Sequence, residues 1–94
     1  MARDSTQVEA TVELTNQHGL HIHPGEMIVR TALRFLSSIT IARGSEVVDA
    51  RSAVGLTTLG AAKGTRLKIR AVGPDAADAI KDLVALFEGK FGEE

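Results

Sequence analysis

Apolar and polar residues alternate in several short segments of the chain. In residues 8–14 every second residue is apolar, separated by glutamate or threonine. Successive side chains of a β-strand point to opposite faces, so this alternation predicts a strand with one buried face. Residues 39–42, 46–49 and 66–71 predict three more strands. The interruption at Arg43-Gly44-Ser45 predicts that the second and third strands form a hairpin.

Other segments repeat their apolar residues with the period of an α-helix. Residues 24–37 carry one such stripe, formed by Ile28, Ala32, Phe35 and Leu36. A clearer stripe follows the entry signals Pro74 and Asp75. It consists of Ala76, Ala79, Ile80, Leu83, Val84 and Phe87. Between these two helices, Ser52 suits the N-cap of a short helix that ends near Gly60.

The predicted element order is strand, helix, strand, strand, helix, strand, helix. This β-α-β-β-α-β-α order predicts an α+β open-faced sandwich, in which a four-stranded antiparallel sheet carries three helices on one face. Ninety-four residues suffice for a single core, so we expect one domain over residues 1–94. We expect residues 1–6 and 90–94 to be frayed at the ends of this domain.

Composition narrows the functional classes. The formal net charge of −1 and the 44% content of apolar residues favour neither nucleic acid nor an anionic membrane as a partner. The absence of cysteine excludes disulfides and thiolate metal sites, and no apolar run approaches the ~18 residues that a membrane helix needs. We therefore expect a cytoplasmic monomer that needs no cofactor and does not insert into a membrane.

All three histidines lie in one short segment, residues 17–25, which reads QHGLHIHPG. Pro24 suits the first position of a helix, so His21 and His23 would stand at or just before a helix N-terminus. Unpaired N–H groups and the helix dipole favour anions there, phosphate among them, beside Pro24 and Gly25. An imidazole next to an anion site suits a histidine that accepts a phosphoryl group and passes it on.

This segment resembles the HPr phosphocarrier family of the phosphoenolpyruvate-dependent phosphotransferase system. The family pattern is Gly-Leu-His-(Ala or Thr)-Arg-Pro-Ala, and this chain reads GLHIHPG over residues 19–25. The element order extends the resemblance over nearly the whole chain. It implies that His21 is the phosphoryl acceptor, modified on Nδ1, in a carrier that has no turnover of its own. The implied partners are Enzyme I as donor and Enzyme IIA-type proteins as acceptors.

His23 stands where the family has arginine. Arginine is always charged and offers a planar fork of donors to phosphate oxygens, whereas histidine offers one or two N–H donors. Three interpretations of His23 stay open. Its ring donates to the phosphate in place of arginine, caps the helix, or is simply tolerated.

A second resemblance lies in residues 51–60, RSAVGLTTLG. They are similar to the regulatory segment Lys-Ser-Ile-Met-Gly-Val-Met-Ser-Leu-Gly of Gram-positive HPr proteins. Ser52 matches the serine that HPr kinase/phosphorylase modifies, and Ala53, Val54 and Leu56 match the partner-docking surface. From the residues alone Ser52 is an N-cap, to which regulatory phosphorylation would be an addition. The alternative function is thus a regulatory module of the same fold, controlled at Ser52 and acting on a transcriptional regulator, with carrier activity impaired by the missing arginine.

The cluster of His18, His21 and His23 also raises the possibility of a metal site, because neutral imidazole is the commonest ligand for zinc, copper and nickel. No carboxylate or cysteine lies within the segment, and its spacing matches no familiar zinc signature. We therefore predict no native metal.

Overall fold

The computed structural model describes residues 6–93, which form seven regular elements and a final turn. In chain order they are β1 (Gln7–Glu13), α1 (Ile22–Ala32), β2 (Ser38–Arg43), β3 (Glu46–Asp49), α2 (Ala53–Thr58), β4 (Arg66–Val72), α3 (Ala76–Glu88) and a 3₁₀ turn (Lys90–Gly92). The order of strands and helices is the predicted one. Of the residues expected to be frayed at the amino terminus, residues 1–5 lie outside the described residues. The carbonyl of Thr6 accepts a hydrogen bond from the N–H of Gly73.

The strands form one antiparallel sheet in the order β1-β4-β2-β3. In β4 the buried residues Leu67, Ile69 and Ala71 alternate with exposed basic residues, so only one face of the sheet is apolar. The helices pack on this face, and the opposite face carries the charged side chains of β1 and β4. The predicted open-faced sandwich is therefore confirmed.

The last helix fills most of the space over the sheet. The apolar stripe predicted for it is buried at every position but one: Ala76, Ala79, Ile80, Leu83 and Phe87 are buried, and Val84 is half-buried. The i, i+3, i+4 spacing of the stripe thus corresponds to the face that packs on the sheet. Phe87 is only 2% exposed and is the largest side chain in the core.

The first helix ends earlier than its apolar pattern predicts. It stops at Ala32, and Leu36 is 84% exposed, so the prediction of a helix through residue 37 is wrong. Backbone groups just after the helix form hydrogen bonds to residues that are distant in sequence. Asp75 accepts hydrogen bonds from the backbone N–H groups of Leu36 and Ser37, each at 2.9 Å. These tertiary contacts replace the further turn of helix that residues 33–37 would otherwise form.

The guanidinium group of Arg51 binds backbone carbonyl oxygens just after the C-terminus of α1. Nη2 of Arg51 lies 2.9 Å from the carbonyl oxygen of Phe35 and 3.1 Å from that of Ser37. A cation at a helix C-terminus also interacts favourably with the negative end of the helix dipole. The far end of α1 is therefore held by two long-range contacts.

The carboxyl-terminal residues 90–93 pack against the core. Residue 94 lies outside the described residues, and the fraying expected for residues 90–94 stays a prediction. Phe91 is 2% exposed, and its ring packs edge-on against Phe87 with the centroids 4.9 Å apart. Burying a phenylalanine stabilises a fold by about 1.5–3 kcal/mol, which offsets part of the entropy cost of holding the tail. Lys90 and Phe91 adopt φ values of +54° and +55°, and this left-handed turn redirects the chain toward the histidine segment.

The hydrogen bonds to Asp75 predict a pH dependence. Donation from the Ser37 hydroxyl and from the Leu36 N–H lowers the pKa of Asp75 below its ordinary value of 3.8. The unfolded chain therefore binds a proton here more readily than the folded chain. The stabilisation from Asp75 is complete above its ordinary pKa and is lost as the pH falls through the lower, folded-state value.

We expect Asp75→Asn to lower the free energy of unfolding at pH 7 and to flatten its decline below about pH 4. Urea unfolding at a series of pH values measures both effects. Glu13→Gln, at an exposed strand position, is the matched control. Its free energy of unfolding should decline below about pH 4 as steeply as that of the parent chain. An equally steep decline of the free energy of unfolding at acid pH in Asp75→Asn and the parent would contradict the lowered pKa of Asp75.

Candidate functional site

The site begins with a tight turn before α1. Gly19 has φ +66°, and a Cβ atom at this position would lie 2.4 Å from the carbonyl oxygen of Ala61. Only glycine fits such a close approach of two backbone segments. The same carbonyl accepts the N–H of Leu20 at 2.9 Å, and the Leu20 side chain is buried. The turn is therefore fixed to the rest of the fold immediately before His21.

His21 is the N-cap residue of α1, with the extended backbone angles φ −94° and ψ −170°. Its carbonyl accepts the first helical hydrogen bond, from the N–H of Gly25 at 3.0 Å. The helix thus begins at Ile22, two residues before the predicted start at Pro24. Pro24 has no N–H, and that of Gly25 is used inside the helix, so neither residue offers a free backbone donor. That these two residues flank a phosphate stays a prediction. The free N–H groups of the first turn belong to Ile22 and His23.

The imidazole of His21 contacts the carboxylate of Glu93. Its Nε2 atom lies 3.0 Å from Oε2 and 3.2 Å from Oε1 of Glu93, so one ring nitrogen faces both oxygens. An ionised carboxylate only accepts hydrogen bonds, and the ring nitrogen must therefore be the donor. With the hydrogen on Nε2, the neutral ring carries its nucleophilic lone pair on Nδ1. The His21 side chain is 36% exposed, so a partner protein can reach it.

Asn16 connects this pair to the turn. Its side chain is completely buried, and its Nδ2 donates to the Gly19 carbonyl at 2.7 Å and to Oε1 of Glu93 at 3.0 Å. One amide group therefore holds both the turn that precedes His21 and the carboxylate that contacts it. Asn16 and His21 are neighbours in sequence, Glu93 comes from the far end of the fold, and the three side chains form one hydrogen-bonded unit.

The surroundings of Glu93 favour its charged form. Partial desolvation raises the pKa of its carboxyl, but hydrogen bonds from His21 and Asn16 and attraction to His21 and His23 outweigh this effect. The net result is a pKa below the ordinary value. Glu93 is accordingly an anion at neutral pH and acts as an acceptor toward His21.

The other two histidines take different positions. His18 lies edge-on to His21, with the ring centroids 6.0 Å apart. His23 is exposed in the first turn of α1, and its ring makes no hydrogen bond to residues 6–93, so its role as a ring cap finds no support there. Within the same residues, no three side chains of the kinds that ligate metals converge on one point.

The short helix α2 packs beside the first turn of α1. A Cβ atom at Gly25 would lie 3.8 Å from Cγ2 of Thr57, at an ordinary contact distance. Ser52 is the N-cap of α2, and its Oγ accepts the N–H of Gly55 at 2.9 Å. The candidate regulatory serine and the candidate acceptor histidine therefore stand at the amino-terminal ends of adjacent helices.

The predicted docking residues divide between surface and core. Val54 is 73% exposed and Ala53 is half-buried, whereas Leu56 is fully buried. The assignment of Leu56 to a docking surface is therefore wrong, because two residues along a helix reverse the direction of the side chain. Ile22, at 56% exposure on the first turn of α1, is a further exposed apolar residue near His21.

Sequence reasoning missed Asn16 and Glu93. Both lie outside the nine-residue histidine segment, and Glu93 is 72 positions from His21. Asn16 directly precedes the segment, so a search for turn-forming side chains could have included it. No spacing rule connects Glu93 to His21, since their contact depends on the path of the tail after α3.

Comparisons with known proteins identify the family of this chain. The PTS-HPr family model, described as the PTS HPr component phosphorylation site, matches residues 8–89. The phosphocarrier protein HPr of Vibrio cholerae is 40% identical over 80 residues, which cover 85% of this chain and 94% of that protein. The multiphosphoryl transfer protein of Haemophilus influenzae is 34% identical over 89 residues, which cover 92% of this chain but 18% of that protein.

Solved structures give the same result. The crystal structure of HPr-C-His from Thermoanaerobacter tengcongensis matches with a TM-score of 0.88 and 42% sequence identity, covering 93% of this chain and 98% of the other. A family model that spans most of the chain, together with relatives of matching length, places the protein in a phosphocarrier class. The chain belongs to the HPr family of the phosphotransferase system.

The position of Gly25 predicts a stabilising substitution. An added Cβ would meet Thr57 and Leu56 at 3.8 and 3.9 Å, so alanine fits without displacement. Alanine also costs less backbone entropy than glycine inside a helix. We expect Gly25→Ala to stabilise the protein by about 0.5–1 kcal/mol, a rise in Tm of roughly 2–8 °C.

Thermal unfolding followed by circular dichroism measures this change. Gly19→Ala is the opposite control, because its Cβ would overlap the Ala61 carbonyl, and it should lower Tm. A lower Tm for Gly25→Ala would mean that α1 and α2 are packed more tightly than the structure indicates.

Proposed function

We propose that this chain carries phosphoryl groups in the cytoplasm, accepting one on Nδ1 of His21 from phosphorylated Enzyme I and passing it to Enzyme IIA-type proteins. The observation that supports this most is the contact between Nε2 of His21 and the Glu93 carboxylate. It leaves Nδ1 with the lone pair at the N-terminus of an eleven-residue helix. The family and the multiphosphoryl transfer relative support a place in a chain of phosphoryl transfers.

Each transfer needs one bond to form and one to break. The Nδ1 lone pair of His21 attacks phosphorus as the bond between phosphorus and the donor's leaving atom breaks, and the electron pair of that bond stays with the donor. Charge on the phosphoryl oxygens is stabilised by the free N–H groups of Ile22 and His23. In the second transfer a nucleophile of the acceptor protein attacks phosphorus as the Nδ1–P bond breaks, and the electron pair of that bond returns to the ring. The chain is therefore a carrier, with no turnover of its own.

A second function is favoured by the geometry at Ser52. Its hydroxyl is the N-cap of α2, and α2 packs beside the turn that carries His21. A phosphate there would add negative charge two residues from the exposed Val54 without opposing the helix dipole. Under this alternative, an HPr kinase/phosphorylase modifies Ser52, and the change controls docking to a transcriptional regulator or an Enzyme IIA-type partner.

Intact-mass analysis after incubation with phosphoenolpyruvate and Enzyme I separates the two functions. We expect an acid-labile gain of one phosphoryl group in the parent chain and in the control His18→Ala, and no gain in His21→Ala. No gain in the parent, combined with an acid-stable gain at Ser52 in the presence of an HPr kinase, would contradict the carrier and support the regulatory module.

His23 is the position at which phosphoryl transfer should be most easily improved. We expect His23→Arg to speed phosphorylation of His21 by about tenfold, since a fixed charge and a planar pair of donors add the equivalent of one charge-assisted hydrogen bond. Rapid-quench kinetics with a fixed concentration of phosphorylated Enzyme I measure the rate. His23→Gln keeps a donor without a charge and is the matched control. An arginine variant that is no faster than the parent would show that His23 does not stand in for arginine at the phosphate.

A further inference from the structure

We infer that Glu93 is a positioning residue which, held by Asn16, directs the phosphoryl group to Nδ1 of His21 and keeps the hydrogen on Nε2 throughout the transfer cycle. This inference rests on the proposed carrier function and adds the role of the carboxyl-terminal tail to it. The family resemblance implies which nitrogen is modified, and the inference concerns which residues of this chain impose that choice and keep the phosphohistidine labile.

The first support is the geometry of the carboxylate. Both oxygens of Glu93 lie within 3.2 Å of Nε2, and Oε1 also accepts from the buried amide of Asn16 at 3.0 Å. The Glu93 side chain is 21% exposed and that of His21 is 36% exposed, so the contact is partly shielded from water. Nε2 is therefore covered by an anion, which excludes an anionic phosphoryl group from that nitrogen by charge as well as by space.

The second support is the way the tail is held. Phe91 is buried against Phe87, and two consecutive residues, Lys90 and Phe91, adopt left-handed backbone angles. Residues other than glycine rarely adopt such angles unless surrounding contacts hold them there. The anchored turn ends two residues before the contact, so Glu93 approaches His21 from a fixed direction.

The third support is the chemistry of the phosphorylated ring. With phosphorus on Nδ1 and hydrogen on Nε2, the imidazole ring is cationic, and the Glu93 carboxylate stabilises that charge. When the Nδ1–P bond breaks, its electron pair returns to Nδ1 and a neutral imidazole leaves, with its hydrogen still on Nε2. If Nε2 lost that hydrogen, the leaving group would be an imidazolate anion, which leaves far less readily. Glu93 thereby keeps the group transferable.

Chemical phosphorylation with phosphoramidate tests the inference without Enzyme I. The full chain is loaded with this small donor, and long-range ¹H–³¹P NMR identifies the phosphorylated nitrogen of each histidine. His18 and His23, the other titratable groups that the structure places beside the pair, are resolved in the same spectrum. We expect phosphorus on Nδ1 of His21 in the parent chain and in the control Glu88→Gln, and a substantial additional signal from Nε2 in Glu93→Ala.

The charge of Glu93 is tested separately by Glu93→Gln, which keeps an oxygen acceptor. After loading on Nδ1, spontaneous loss of the phosphoryl group to water at neutral pH should be about tenfold slower than in the parent chain. Three results would each overturn the inference. The first is phosphorylation of Nε2 in the parent chain, and the second is phosphorylation of Nδ1 alone in Glu93→Ala. The third is an equal rate of phosphoryl loss in Glu93→Gln and the parent. Because phosphoramidate replaces Enzyme I, these results are independent of whether Enzyme I recognises the chain.

Discussion

The arrangement of the site depends on one contact between the start of α1 and the tail after α3, from Nε2 of His21 to the carboxylate of Glu93. A histidine ring alone has two competing nitrogens and free rotation. A carboxylate on one nitrogen removes both ambiguities, because it fixes the hydrogen and the plane of approach. The ordered tail, the buried Asn16 and the strained turn at Lys90 and Phe91 all contribute to placing that carboxylate.

The helix that carries His21 is held at both ends by side chains far away in sequence. At its N-terminus α2 packs against Gly25, and at its C-terminus Asp75 and Arg51 bind the free backbone groups. Such contacts matter for a carrier, since a phosphoryl group gains from N–H donors only when they are already aimed at it. The sheet and α3 form the base of the fold, and the His21 ring stays partly exposed at the N-terminus of α1.

The sequence pattern predicted the order of strands and helices and the buried stripe of α3, because these follow from local periodicity. It failed where distant residues decide the outcome. Phe35 and Leu36 fit a helical spacing, yet α1 ends at Ala32 where Asp75 and Arg51 bind the chain. Leu56 matched a docking position in the related segment, but the direction of its side chain depends on how α2 packs. The contact between His21 and Glu93 joins residues 72 positions apart, so the spacing of neighbouring residues could not predict it.

The central claim is that the chain both accepts and gives up a phosphoryl group, with His23 in place of the family's arginine. The most direct test is a chase experiment in which chain loaded with ³²P from phosphoenolpyruvate and Enzyme I is purified and mixed with the Enzyme IIA-type proteins of the same organism. We expect the label to move to an Enzyme IIA within seconds to minutes and the emptied chain to be loaded again. Label that stays on the chain, or is lost only to water, would contradict it.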